Sequence, residues 1–132
     1  MSIKKILVVD DSPTERFFYA DVLTRAGYLV LLAENGEQGL ALARSEMPQL
    51  IVMDVIMPGQ NGFQVTRALN RDPAIAHIPV ILCTSKDAET DKYWGMKQGA
   101  REYLVKPVDP NRLLDCVASL ASLAQAGTTA SL

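Results

Sequence analysis

Short, unbroken apolar runs punctuate the chain, and most of them end on a residue that can do chemistry. Ile6-Leu7-Val8-Val9 leads into Asp10-Asp11, Leu50-Ile51-Val52-Met53 into Asp54, Val80-Ile81-Leu82-Cys83 into Thr84, and Tyr103-Leu104-Val105 into Lys106. Runs this short, with no polar alternation, predict strands buried on both faces, the habit of a parallel sheet covered by helices. Leu29 to Ala33 makes a further strand. Strand and helix alternate five times along the chain, which predicts a parallel α/β fold. In such a sheet every strand's carboxyl end points the same way, and ligands bind outside those ends. Three acids, a hydroxyl and a lysine are therefore expected to converge on one rim.

Local signals mark where the helices start and stop. Ser12-Pro13-Thr14-Glu15 reads as a capping box with Pro13 at the first helical position, and Gly27 as a left-handed cap at the far end. After the Asn35-Gly36 turn a second helix covers about 37–46 and is halted by Pro48. The loop from Val55 to Gly62 opens a third helix, Phe63 to about Arg71, closed by Asp72-Pro73. A fourth covers roughly 87–98, before Gly99; its spacing places Tyr93 and Met96 toward the sheet and leaves Trp94, the single tryptophan, at the helix flank. Asp109-Pro110 opens the last helix, with Leu113, Leu114, Val117, Leu120 and Ala121 as its apolar stripe. Residues 1–124 are read as one domain, and 125–132, rich in Ala, Gly, Thr and Ser, as a short flexible tail.

Composition narrows the partners. A chain of 132 residues, 48% hydrophobic and 21% charged, has the make-up of a single globular domain. A net charge of −2 with no Lys/Arg stripe argues against nucleic acid or an anionic membrane as the main partner. The first apolar run stops after four residues at two aspartates, too short for an export signal, and no segment approaches the roughly 20 apolar residues that span a bilayer. Cys83, in a buried strand, and Cys116, in the last helix, read as small core hydrophobes in a reducing, cytoplasmic setting. His77 has no acidic or cysteine company and reads as a surface loop residue.

The chemistry follows from the residue types. Asp10, Asp11 and Asp54, gathered at neighbouring strand ends, repel one another and call for a cation. Mg²⁺ suits them, since it takes oxygen ligands from one or two carboxylates together with waters and phosphates. A carboxylate is also a nucleophile toward phosphorus, giving an aspartyl phosphate. The phosphoryl oxygens then need a cation and donors, which Lys106 and Thr84 supply.

These residues carry a resemblance. Asp10-Asp11, Asp54 followed by Met57-Pro58-Gly59 and Gly62, Thr84-Ser85, Gly99-Ala100, Tyr103 and Lys106-Pro107 together resemble the receiver domain of bacterial response regulators, from about Ile3 to Leu120. The resemblance implies a doubly wound, flavodoxin-like sheet in the order 2-1-3-4-5 with five flanking helices. It implies Asp54 as phosphoacceptor from a phosphohistidine on a chemotaxis-type histidine kinase. Mg²⁺ would be held by Asp11, Asp54 and the backbone carbonyl of Ile56, with Asp10 acting mainly through water. Lys106 would pair with the phosphoryl group, Lys106-Pro107 would be cis, and Thr84 and Tyr103 would be a switch pair. Ile56 and Lys86 stand at positions that tune the lifetime of the phosphate in receivers. A protein target would bind the face made by the fourth helix, fifth strand and fifth helix, with Trp94 as a candidate contact. Such receivers are usually monomers, with dimerisation through the fourth-helix face as the alternative, and are not enzymes beyond their own phosphorylation and dephosphorylation. The stretches Asp11-Ser12-Pro13-Thr14-Glu15, Thr84 to Lys92, Trp94-Gly95, Gln98 to Arg101 and Lys106-Pro107-Val108-Asp109 are similar to receivers of the chemotaxis-like pathway that controls type IV pili and twitching motility. Output would be a protein partner, or alternatively the drainage of phosphate from a shared kinase.

Two other readings fit less well. A small Mg²⁺-dependent aspartyl-phosphate phosphatase of the haloacid dehalogenase kind wants a second aspartate two residues after the nucleophile, and Asp54 is followed by Val55-Ile56. A dinucleotide-binding module needs a glycine-rich first turn, where this chain has Asp10-Asp11-Ser12.

Overall fold

The computed structural model describes residues 4–130, the side chains beyond Ala121 excepted. Its elements are β1 (Lys5–Val9), α1 (Pro13–Arg25), β2 (Leu29–Ala33), α2 (Gly36–Glu46), β3 (Leu50–Met53), α3 (Gly62–Arg71), β4 (Val80–Thr84), α4 (Glu89–Lys97), β5 (Glu102–Val105) and α5 (Pro110–Ala130). The strands form one parallel sheet in the order β2-β1-β3-β4-β5. Ile6 lies level with Val30 and Leu50, and Leu82 with Met53 and Tyr103, so the strand ends are staggered little and their last residues form one rim.

Alternation along each strand divides the core into two layers. Ile6, Val8, Val52, Ile81 and Cys83 meet Tyr19 and Leu23 of α1 and Leu113, Cys116 and Val117 of α5. Leu7, Val9, Ile51, Met53 and Leu82 meet Ala43 of α2 and Phe63, Val65 and Leu69 of α3. The three inner strands are buried apart from Lys5 at the start of β1, as continuous apolar runs require, whereas β5 at the edge is only partly covered. Both cysteines are free and buried, and burial pushes the Cys83 thiol up to about 12, which makes it inert. His77 is exposed. No described helix is long and apolar enough to cross a membrane.

The capping signals are realised with one exchange. Ser12 Oγ accepts from the Glu15 N–H, but the Ser12 N–H goes to Asp10 Oδ1 at 2.9 Å in place of Glu15, so half of the expected capping box is taken over by the site. Gly27 is left-handed at φ 99°, and the bonds from Tyr28 N–H to Leu23 O and Gly27 N–H to Thr24 O complete a Schellman turn. A full capping box stands instead at α3, between Asn61 and Gln64.

One expectation is corrected. Tyr93 and Met96 do not face the sheet: they are 64% and 46% exposed, and the residue of α4 that meets the sheet is Gly95. A Cβ at Gly95 would stand 2.8 Å from Leu82 Cδ1 and 3.0 Å from the Tyr103 ring, so the helix approaches through its smallest residue. Glycine carries no hydrophobic signal, and the spacing therefore pointed to the wrong face. α5 continues as helix to Ala130, within the stretch 125–132 that the sequence marks as a tail; residues 131 and 132 lie outside the described residues.

Candidate functional site

The rim at the carboxyl ends of β1, β3 and β4 brings the predicted residues together. Asp10 follows β1 and is buried; its Oδ1 accepts the Ser12 N–H, and its Oδ2 lies 3.0 Å from Lys106 Nζ. Asp54 follows β3 and is buried as well, with Oδ1 3.5 Å from the same ammonium. Asp11 is exposed at the mouth. One carboxylate oxygen from each of Asp10, Asp11 and Asp54 lies within 4.8 Å of the other two. Lys106, at the end of β5, is followed by a cis bond to Pro107.

Charge balance around Asp54 is uneven. Burial raises its carboxyl to about 6, and the neighbouring Asp10 adds to the rise; Lys106 and the Val55 and Ile56 N–H groups pull the other way without cancelling it. Burial pulls the Lys106 ammonium down, but its bond to Asp10 and the charges of Asp54 and Asp10 outweigh that and hold it above its ordinary value. Three carboxylates thus gather beside one ammonium, which pairs with only two of them, Asp10 and Asp54. This surplus of negative charge, on oxygen donors alone, fits a hard divalent cation such as Mg²⁺.

What holds Asp54 in place is mainly backbone. Its N–H donates to the Val9 carbonyl, tying β3 to β1 at the rim. Gly62, the first residue of α3, lies so close that a Cβ there would collide with the Asp54 carbonyl oxygen and the Val55 backbone. The Gly62 N–H donates to Val55 O, and the Gly62 carbonyl accepts from Thr66 Oγ1. The loop between β3 and α3 is thereby clamped onto Asp54. Ile56 turns its side chain outward and is exposed. Beside it opens a hollow of about 470 Å³ lined by Val55, Ile56, Met57, Asn61, Phe63, Lys86 and Asp91.

On the β4–β5 side, Thr84 is fully buried, and its Oγ1 accepts the Lys86 N–H at 3.3 Å. The Tyr103 hydroxyl donates to the Lys86 carbonyl at 2.7 Å. The peptide groups of Lys86 therefore link the Thr84 hydroxyl to the edge aromatic. Burial raises the Tyr103 phenol to about 12, helped by Asp91 and Asp87, so it stays a donor at neutral pH. The Lys86 ammonium is half-exposed and lies 3.8 Å from Asp91. Trp94 is 51% exposed and lies off this cluster, beside Asn61, Phe63, Gln64, Arg67 and Gln98.

One supporting residue escapes sequence reading. Arg16 of α1 donates to the Asp10 carbonyl at 2.8 Å and reaches to 3.6 Å from Glu34, bracing β1 against the end of β2. Only its place one turn after Ser12 hints at this, and arginine at such a place is ordinarily solvated.

Comparison with known proteins follows this geometry. Residues 6–118 match the response regulator receiver domain. The chain is 55% identical to the protein PilH of Pseudomonas aeruginosa over 113 residues, 86% of this chain and 93% of that one. It is 41% identical over 116 residues to the response regulator PleD of Caulobacter vibrioides, which is 88% of this chain but 26% of PleD. Among solved structures, the chemotaxis protein CheY4 of Vibrio cholerae superposes with a TM-score of 0.84 at 32% identity, over 89% of this chain and 98% of that one. A CheY-like receiver domain protein of Methanospirillum hungatei superposes with a TM-score of 0.88 at 25% identity, over 96% and 99%. With the sheet order, the acidic rim and these likenesses in agreement, the chain belongs to the response regulator receiver domain family.

Proposed function

We propose that this receiver takes a phosphoryl group onto Asp54 from a phosphohistidine of a chemotaxis-type histidine kinase and signals to a protein target in type IV pilus control. The observation that carries the reading is the placement of Asp54: buried, next to Asp10, and within 3.5 Å of Lys106. The pilus assignment rests on the 55% identity to PilH, a receiver that the sequence resemblance ties to twitching motility.

In the transfer, one Asp54 carboxylate oxygen attacks phosphorus and forms a P–O bond while the P–N bond of the donor breaks. The imidazole keeps that electron pair and takes up a proton from solvent. Asp10, Asp11 and Asp54, with the Ile56 carbonyl, are the residues to hold Mg²⁺; when bound, it supplies positive charge to the phosphoryl oxygens. Lys106 exchanges part of its contact with Asp10 and Asp54 for a phosphoryl oxygen. Asp54 reacts as the carboxylate, so the positive charge around it also secures the reactive form at neutral pH.

Readout starts at Thr84. To reach a phosphoryl oxygen its hydroxyl leaves the Lys86 N–H, and the Lys86 carbonyl that receives Tyr103 moves with the same peptide segment. Tyr103 and α4 then repack, changing the face made by α4, β5 and α5. Ile56 and Lys86, flanking the hollow beside Asp54, set how readily water reaches the acyl phosphate.

Incubation with Mg²⁺ and a small phosphodonor, followed by intact mass, tests the core of this reading. One added PO₃ that is absent in Asp54→Asn is the expected result; an unmodified wild-type mass under those conditions refutes it. Phosphotransfer from a pilus-pathway kinase no faster than from unrelated kinases would remove the pathway assignment alone.

A further inference from the structure

β2 is an outer strand: it pairs with β1 on one side and, among the described residues, with no strand on the other. The Leu29 N–H donates to Lys4 O and the Asp10 N–H to Ala33 O, so Leu29 and Ala33 turn their peptide groups inward. By alternation Leu31 does the same, and Val30 and Leu32 turn theirs outward. The flanking N–H groups are already engaged, Tyr28 with the Leu23 carbonyl and Glu34 with Gln38 Oε1. The free edge is thus a matched set of donors and acceptors from two residues.

Edge strands that must stay unpaired are ordinarily guarded by a charge, a proline or a bulge. Leu29-Val30-Leu31-Leu32-Ala33 has no charge and no proline, and its register with β1 runs without a bulge. Leu29 is 59% and Leu32 44% exposed, and Met47, capping the end of α2, is exposed too.

We propose that β2 is a self-pairing edge, at which a second copy of this chain adds antiparallel across a two-fold axis at Leu31. The register follows from the free groups. Val30 lies opposite Leu32 of the second copy and Leu32 opposite its Val30, each pair exchanging two bonds, so no outward group on either strand is left over. The rims favour a second copy over an unrelated extended segment. Arg25, bonded to Asp21 at 2.8 Å yet with its side chain 80% exposed, ends α1 just before the strand, and Glu34, 3.6 Å from Arg16 and 66% exposed, follows it; the two-fold axis sets this exposed basic end of each copy toward the exposed Glu34 of the other. The contact is short, so association is weak, and the expected monomer is the dilute form.

Sedimentation velocity of the full chain, from low micromolar to millimolar concentration, is expected to show a reversible dimer. Leu32→Lys is expected to weaken it at least tenfold while leaving the circular dichroism spectrum and phosphorylation by a small donor unchanged. Leu31→Cys provides the register test. It sits on the proposed axis, where facing residues have Cβ atoms about 4.5–5.5 Å apart, and the two native thiols are buried. Mild oxidation is expected to yield a covalent dimer of this variant. A wild-type chain that stays monomeric throughout overturns the proposal and leaves the edge to some other extended segment. A dimer undiminished in Leu32→Lys overturns it as well, and a dimer that Leu31→Cys fails to cross-link overturns the register.

Discussion

The helices on the two sides of the site, α3 and α4, are anchored very differently. α3 opens on a complete Asn61–Gln64 capping box and buries Gly62, Phe63, Val65, Thr66 and Leu69. α4 opens at Ala88, which offers no side-chain cap, and buries Gly95 alone, leaving Tyr93, Trp94 and Met96 in solvent. Their positions explain the contrast. On the proposed function, α3 follows the Asp54 loop, where a displaced carboxylate would disable the transfer, and α4 follows the Thr84 loop, where a conformational readout would require an element that is easily displaced. One side of the site is built to hold and the other to yield.

Four measurements bear on that contrast. The largest effect is expected from Gly62→Ala, because the added methyl meets the Asp54 carbonyl oxygen and backbone cannot give way. A loss of about 3 kcal/mol in urea unfolding is expected, since overpacking usually costs 1–3 kcal/mol and here the obstacle is backbone. A variant as stable as wild type would show that the holding side is looser than described.

Next comes the acid itself. Asp54 binds its proton more tightly when folded, near pH 6, than at the ordinary carboxylate value of 3.8. In the magnesium-free protein this group's contribution to stability therefore falls as pH rises from about 4 to about 6 and stays low above, by about 2–3 kcal/mol in all. Asp54→Asn abolishes the fall, so in chelator the variant should be more stable than wild type at pH 7 and equal to it near pH 3.5. Added Mg²⁺ should raise the wild-type melting temperature more than the variant's. Parallel pH curves for the two proteins would contradict the buried, acid-crowded setting of Asp54.

Smaller effects test the caps. Asn61→Ala should cost about 1 kcal/mol, and Ala88→Ser should add about 0.5 kcal/mol by giving α4 the cap it lacks. Hydrogen exchange should then slow in the first turn of α4 and hardly change in α3. Faster native exchange in α3 than in α4 would reverse the comparison outright.

Much of this architecture was legible beforehand, for a physical reason. Apolar runs such as Leu50 to Met53 exist because inner parallel strands are covered on both faces, and the residue after each run must surface at the rim. That logic located Asp10, Asp54, Thr84 and Lys106 without coordinates. It failed at α4, where the contact is made by Gly95, a residue defined by the side chain it lacks. It also missed Arg16, whose partner Glu34 is distant in sequence, and the diversion of the Ser12 N–H to Asp10. Polar side chains take their roles from neighbours that only the folded chain supplies.

The lone indole has a practical consequence. It rides on the yielding helix, half in water, while the other aromatic residues are phenols and phenyl rings with weaker, bluer emission. On the proposed function, unlabelled protein therefore carries an optical gauge on the very element expected to shift, and the arrival or loss of a phosphoryl group would be timed in a cuvette.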